Sequence, residues 1–235
     1  LLPKTAKIFK TKIEAYEIEK QCKNLETNIL SEKIQIHKIE APLLFDLTSL
    51  QEEAFNKYNY KASKSLDLCQ SLYEKKLITY PRTDSRYLTE DLLLPTQNIA
   101  YKLIQSNLAF SNIKQAMWKL EKKHFKEDKV HEHHAILPTG QNRHNLLQEE
   151  QNILKLINYR LIETGLSTYK EENKTFHLIE TTKKQSDKKI FITKEKRVLD
   201  LGWKSLVRND QKLLKPRSTK PKQKIENFIF TKSQV

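Results

Sequence analysis

The period of the hydrophobic pattern changes twice along the chain, and this limits the fold more than any other feature. Lys33-Ile34-Gln35-Ile36-His37-Lys38-Ile39 largely alternates polar and apolar residues, as a half-buried strand does, and Pro42 closes the segment. A long middle stretch then repeats its apolar residues at helical spacing. From Thr175 the alternation returns in Phe176-His177-Leu178-Ile179-Glu180 and Ile190-Phe191-Ile192-Thr193, two strands about a polar turn over 181–189. If the two β-rich flanks pair with each other, the helical middle is an insertion carried on a β platform.

The chain opens with apolar positions at mixed helical spacing over residues 14–25. Thr48-Ser49-Leu50-Gln51 has the form of a capping box, and Leu50, Ala54 and Phe55 follow at helical spacing through about Lys57. Ser63 is placed to cap a second helix, with Leu66, Cys69, Gln70 and Tyr73 on adjacent turns. That helix ends near Lys75-Lys76, where cations suit the C-terminal dipole. The turn Tyr58-Asn59-Tyr60-Lys61 makes the pair resemble a helix-turn-helix. Leu77-Ile78-Thr79-Tyr80 is then a β-prone run stopped by Pro81, which puts Tyr80 at the end of a short strand. Further helices are predicted over 89–106, 113–123 and 147–162, the last with a stripe of Ile153, Leu154, Ile157 and Leu161. Residues 212–224, rich in Lys, Pro and Ser, read as a basic loop, and 227–231 as a strand cut near its end. With a first residue that is not Met, the chain reads as an excised fragment.

Charge and composition narrow the chemistry. Lys and Arg number 43 against 29 Asp and Glu, a net charge of +14 spread along the chain. That distribution suits nucleic acid better than a membrane anchor, which concentrates its cations beside an apolar segment. No window of about 18 apolar residues exists and no secretory signal opens the chain, so a soluble, cytoplasmic protein is expected. Cys22 and Cys69 have no CxxC spacing, so neither a disulfide framework nor a zinc knuckle is suggested. Only Gly140, Gly165 and Gly202 are glycine, which leaves no phosphate-cradling glycine loop and argues against ATP-driven chemistry.

The most informative stretch is Ile78-Thr79-Tyr80-Pro81-Arg82-Thr83-Asp84-Ser85-Arg86-Tyr87-Leu88, which gathers a phenol, two guanidiniums, hydroxyls and a carboxylate. It resembles the active-site motif of type IA DNA topoisomerases, in the form nearest the topoisomerase III branch. Three more stretches match in the expected order. Leu43-Leu44-Phe45-Asp46-Leu47-Thr48-Ser49-Leu50-Gln51 lies upstream, then come His133-His134-Ala135-Ile136-Leu137-Pro138-Thr139-Gly140 and Gly202-Trp203-Lys204. The resemblance runs from about residue 40 to residue 205.

A tyrosine phenol titrates near pH ~10, so as a nucleophile at neutral pH it needs a base or nearby positive charge. Arg82 answers that need, and its planar fork can bind two oxygens of a phosphate, a contact lysine cannot make. The resemblance implies that Tyr80 attacks a single-strand phosphodiester. The product is a reversible 5′-phosphotyrosine through which another strand passes. One phosphate ester replaces another, so no ATP is needed. It further implies that Thr83, Asp84 and Ser85 order the site by hydrogen bonds, that Arg86 meets a neighbouring phosphate, and that His133 lies near the cleaved phosphate, with His134 in a lesser role. Lys61 and Lys64, with Lys75 and Lys76, are candidate phosphate contacts. His131, His133 and His134 lack the carboxylates or cysteines of a metal cluster, so no metal is assigned to this chain. Trp118 and Trp203 suit a core or hinge role better than base stacking.

The family also carries an N-terminal domain whose Glu and Asp-x-Asp hold Mg²⁺. No Asp-x-Asp occurs here, so the expectation is a fragment that does not relax DNA alone and that works with the remaining domains of a parent chain on mainly single-stranded DNA. The expected fold is α+β. A helical, winged-helix-like domain with the tyrosine (44–170) is inserted into a discontinuous β-rich hinge or arch (1–43 and 171–202), and 203–235 starts a further domain or tail. The competing reading is a helix-turn-helix DNA-binding module without catalysis. A tyrosine recombinase is disfavoured because Tyr80 precedes His133.

Overall fold

The computed structural model describes residues 11–22, 27–141, 145–180 and 190–206. Along them run α1 (Lys12–Cys22), β1 (Thr27–Ile39), α2 (Leu47–Tyr58), α3 (Ala62–Glu74), α4 (Leu93–Ser106), α5 (Gln148–Thr164), β2 (Tyr169–Glu180) and β3 (Ile190–Asp200), with short 3₁₀ turns between α3 and α5. The chain is α+β. The expected turn over 181–189, the basic stretch 212–224, the strand over 227–231 and the end of the first helix at 23–25 lie outside the described residues. No helix among the described residues is long and apolar enough to cross a membrane.

Backbone packing separates two compact units. Among the described residues, one comprises 11–22, 27–37, 170–180 and 190–199, and the other 38–141, 145–169 and 200–206. The first holds a three-stranded sheet in the order β1-β2-β3, so the two flanks of the chain share one sheet. On its central strand Phe176 and Leu178 are buried, and Glu171 pairs with Lys196 at 2.9 Å. β1 is not the half-buried strand its alternation suggests. Ile34 and Ile36 are 51% and 56% exposed, and Ile29 and Leu30 are also open.

The helical unit is built around two hydrophobic cores. In one, Phe45, Leu50 and Ala54 meet Leu68, Cys69 and Leu72 of α3 and Ile153, Leu156 and Ile157 of α5. In the other, Leu44, Leu88, Ala100, Ile104, Phe110 and Trp118 pack on Leu161 and Ile162. Helix α5 serves both, one turn after another, and each fully buried aliphatic side chain contributes ~1.5–3 kcal/mol. Ala135 and Leu137 enter the second core while Ile136 enters the first, the alternation of an extended segment pressed between two apolar masses.

Several local expectations are corrected. Asp46, not Thr48, caps α2: its carboxylate accepts from Ser49 N at 2.7 Å and Ser49 Oγ accepts from Asp46 N at 3.3 Å. Helix α3 begins at Ala62 with Lys61 at the cap and no side-chain cap bond, so Ser63 already lies inside the first turn. Its buried face is Ser65, Leu68, Cys69 and Leu72, which leaves Tyr73 40% exposed. In α5, Leu156 rather than Leu154 completes the buried stripe. The predicted helix over 113–123 is replaced by two 3₁₀ turns, Gln115–Met117 and Lys122–His124. Between them Lys119 N donates to Gly165 O at 2.8 Å, which draws the chain out and turns both Trp118 and Leu120 inward. Trp118 Nε1 donates to Leu161 O at 3.2 Å and lies so near Gly165 that an added Cβ there would sit 2.2 Å from it.

Candidate active site

The segment bearing Tyr80 leaves α3 through a tight turn. Lys76 takes the left-handed conformation at φ 61°, its N–H donates to Tyr73 O at 2.8 Å, and Leu77 N donates to Leu72 O at 2.9 Å. This is a Schellman motif with lysine at the position glycine prefers, closed by the burial of Leu77 against the α3 core. Lys75 at the cap pairs with Glu150, which also accepts from Ser71 Oγ at 2.6 Å and, through its other oxygen, from Leu147 N at 3.0 Å. The end of α3 is thereby tied to the start of α5. Burial alone would raise the Glu150 pKa, but the bonds from Lys75, Ser71 and Leu147 outweigh it and hold the carboxyl below its usual range.

Residues 77–79 then pair with 137–139. Thr79 N donates to Leu137 O at 2.9 Å and Thr139 N to Leu77 O at 3.0 Å, around a single antiparallel bridge between Ile78 and Pro138. The expected short strand is thus one bridge. Pro138 fits because the flanking residues, not position 138, supply the donors. Thr79 Oγ1 accepts from Leu137 N at 2.9 Å, immediately before the nucleophile candidate.

Beyond Tyr80 the chain is extended and its side chains divide by parity. Pro81, Thr83 and Ser85 point inward and are buried, whereas Arg82 and Asp84 are exposed. Thr83 Oγ1 donates to His133 O at 2.9 Å and accepts from Ser85 N at 3.0 Å, and Thr83 O accepts from Leu47 N at 3.0 Å. Ser85 Oγ accepts from Tyr87 N at 3.2 Å. Arg86, expected to meet a phosphate, has backbone partners here. Its guanidinium donates to Leu44 O at 3.0 Å and Leu43 O at 3.4 Å, so it fastens the motif to the chain entering α2.

The result is a close group of reactive side chains. The Tyr80 ring lies 4.4 Å from that of His133, tilted by 50°, and meets Tyr73 edge-on at 5.3 Å. Arg82, Asp84, His131, Glu132 and His133, with Leu47, Thr48 and Thr83, line an adjoining cavity of about 560 Å³. Arg82 makes no hydrogen bond or ion pair with the described residues, so its fork is free for an anion. His134 is turned away, its Nδ1 donating to Ala135 O at 2.8 Å. Lys64 is occupied by Glu149 and lies over the Tyr60 ring at 4.7 Å, whereas Lys61 stands exposed at the start of α3. Trp203 Nε1 donates to Ile39 O at 3.1 Å, a structural contact, as is that of Trp118. His131 and Thr48 in the cavity wall, and Tyr73, are site neighbours that sequence reasoning did not assign.

A family model described as DNA topoisomerase matches residues 3–234. The chain belongs to the type IA DNA topoisomerase family. It is 31% identical over 217 residues to the DNA topoisomerase 3 of Staphylococcus haemolyticus, a match covering 90% of this chain and 30% of that one. With the DNA topoisomerase 3 of Staphylococcus epidermidis the identity is 35% over 209 residues, covering 86% and 28%. Among solved structures, full-length topoisomerase I from Thermotoga maritima shares the fold, with a TM-score of 0.58 at 21% identity, over 89% of this chain and 33% of that one. The chain therefore spans less than a third of the curated relatives' length.

Proposed function

We propose that this topoisomerase chain carries the nucleophile of a reversible single-strand DNA break, and that Tyr80 is that nucleophile. One observation supports the reading above the others: the Tyr80 ring packs on His133, and His133 and the unpaired Arg82 share the wall of one cavity. The phenol gives up its proton as its oxygen attacks phosphorus, the P–O3′ bond breaks, and a 5′-phosphotyrosine forms while the freed 3′-oxygen takes up a proton, so none is gained or lost overall. Attack by that hydroxyl reverses the step and releases Tyr80. Arg82 takes the non-bridging oxygens, where charge builds in the transition state. His133 is at hand to donate a hydrogen bond or a proton. Thr83 holds His133 in place through its carbonyl, and Asp84 and Glu132 balance the cavity's positive charge.

Among the described residues no group of three or more His, Cys, Asp or Glu side chains is arranged to hold a metal ion. These residues do not build the family's Mg²⁺ site. We infer that the chain alone binds single-stranded DNA without relaxing it, and that the sheet-bearing unit acts as the hinge on which the helical unit moves to admit a second strand.

The test mixes the natural polypeptide carrying these residues with 3′-labelled single-stranded DNA and Mg²⁺, followed by denaturant. Wild type should retain label covalently, and Tyr80→Phe should retain none. Equal DNA binding by both without trapped label would sink the catalytic reading and favour a non-catalytic helix-turn-helix binder.

A further inference from the structure

We propose that Tyr73 is a positioning residue for the nucleophile: its ring edge, fixed on α3, restrains the Tyr80 ring in the orientation that attack requires. The inference rests on the reading of Tyr80 given above and goes a step beyond it.

Tyr73 does not belong to the α3 core. The buried face of that helix is Ser65, Leu68, Cys69 and Leu72, and Tyr73 is 40% exposed beside it, where a solvated polar residue would fit at no cost to packing. What the ring touches is Tyr80. The two centroids are 5.3 Å apart with the planes at 76°, the edge-to-face geometry that aromatic pairs prefer. On the other side His133 lies 4.4 Å from Tyr80. The nucleophile is therefore held between two rings that come from different parts of the chain.

Both holders are themselves anchored. Tyr73 sits two residues before the α3 cap, where the Schellman turn and the Lys75–Glu150–Ser71 cluster fix the helix end. His133 hangs from a backbone whose carbonyl accepts from Thr83 Oγ1. Tyr80 itself lies in an extended segment, where its own backbone does little to select a ring rotamer. The phenolic oxygen lies on the ring axis, so χ2 leaves it in place and χ1 sets its position; without neighbours the staggered χ1 wells carry that oxygen to widely separated places. In-line attack needs that oxygen within about 3–3.5 Å of phosphorus and aligned with the leaving oxygen, and losing such alignment lowers the rate of the chemical step without weakening binding elsewhere. The Tyr73 hydroxyl has no part in this, because the contact is made by the ring.

The experiment compares wild type, Tyr73→Ala, Tyr73→Leu, Tyr73→Phe and Tyr80→Phe in the natural polypeptide. It measures single-turnover formation of the covalent complex with 3′-labelled single-stranded DNA at saturating enzyme, and DNA affinity separately. Tyr73→Ala and Tyr73→Leu should slow cleavage about tenfold, equivalent to ~1.4 kcal/mol of activation free energy. Their DNA Kd should be unchanged, and Tyr73→Phe should restore the rate to within about twofold. Thermal unfolding of Tyr73→Leu separates lost positioning from lost fold, since leucine keeps bulk and helix propensity on α3. Cleavage by both truncations at the wild-type rate overturns the proposal. So does a Tyr73→Phe variant as slow as Tyr73→Ala, which would make the hydroxyl the working group, and so does a loss confined to DNA affinity, which would make the ring a stacking platform. If wild type traps no DNA, or Tyr80→Phe traps as much as wild type, it is the reading of Tyr80 that has failed.

Discussion

Isoleucines of α5 and of β1 meet opposite fates in the two units. In the helical unit Ile153, Ile157 and Ile162 are at most 1% exposed, and the segment bearing Tyr80 is pinned between the cores they build. In the sheet unit Ile29, Ile34 and Ile36 are each more than half exposed. Reaction geometry needs groups held within fractions of an ångström, and packing of that quality is found where the motif lies. The sheet, by contrast, buries Phe176 and Leu178 on its central strand and adds its ladder and a few partly exposed ion pairs such as Lys174 with Glu32 at 3.6 Å.

The contrast breaks most sharply with Ile157→Ala. The side chain is 1% exposed between α2, α3 and α5, and its truncation leaves a cavity behind the segment that carries Ile78 and Ile136. A loss of roughly 3 kcal/mol is expected, the middle of the range for buried Ile to Ala changes. Urea unfolding of the chain measures it through a lower midpoint at unchanged slope. A loss under about 1 kcal/mol would mean that this core is looser than its burial indicates.

Much of this division was readable in the sequence, and the parts that were not share a cause. The stripe of α5, the α2–α3 pair and the active-site motif follow from local periodicity and residue chemistry. The face of α3 was misassigned by one position because Tyr73 is turned toward Tyr80, a partner seven residues away that no helical period reveals. The helix over 113–123 fails because Lys119 N finds Gly165 O, a bond across 46 residues, and because Trp118 needs the space that only glycine leaves at position 165. Asp46 displaces Thr48 as cap because the chain enters α2 from the bridge between Phe45 and Ile136, which sets where the helix can start. In each case a long-range contact overrode a local preference.

A medium effect sharpens the comparison through pH. His124 is buried in the helical unit, Nδ1 accepts from Glu121 N at 2.9 Å, and Nε2 has no partner among the described residues. Burial, helped by the Lys123 charge, holds its pKa below the ordinary 6.5 against the opposing pull of Glu121 and Glu40. With the folded pKa below the unfolded one, the unfolded chain binds the proton first. The neutral ring's contribution is therefore complete above about pH 6.5 and drains away as pH falls toward the folded value. Glu150, also depressed, adds a second loss below its unfolded 4.5. Unfolding free energy measured across pH 4–7 should fall on the acid side by at most one proton's worth in the upper limb, ~1.4 kcal/mol per pH unit. His124→Asn, whose Oδ1 can still accept from Glu121 N, should flatten that upper limb and leave the lower one. An upper limb that survives the substitution would assign it to another group.

The smallest effect lies in the sheet and is the most discriminating. Ile34 and Ile36 lie two apart on β1 and therefore share a face of the strand, with 51% and 56% of their surface open. Surface substitutions away from packed features change stability by about 0.5 kcal/mol or less, so Ile34→Ala should shift the urea midpoint hardly at all. That is several-fold less than Ile157→Ala, although the same atoms are removed. The measurement is made on the same chain under the same conditions with identical atoms removed, and because alanine favours helix over strand, intrinsic propensity works against the expected order, so a larger loss at Ile157 reports packing. If Ile34→Ala costs as much as Ile157→Ala, β1 is covered in solution, and the contrast between a packed helical unit and an open β1 collapses. If it costs nothing, the hydrophobic alternation that announces a strand at 33–39 says where the strand is but not that either face is buried. Period and burial are then separate inferences, and only the first can be drawn from spacing.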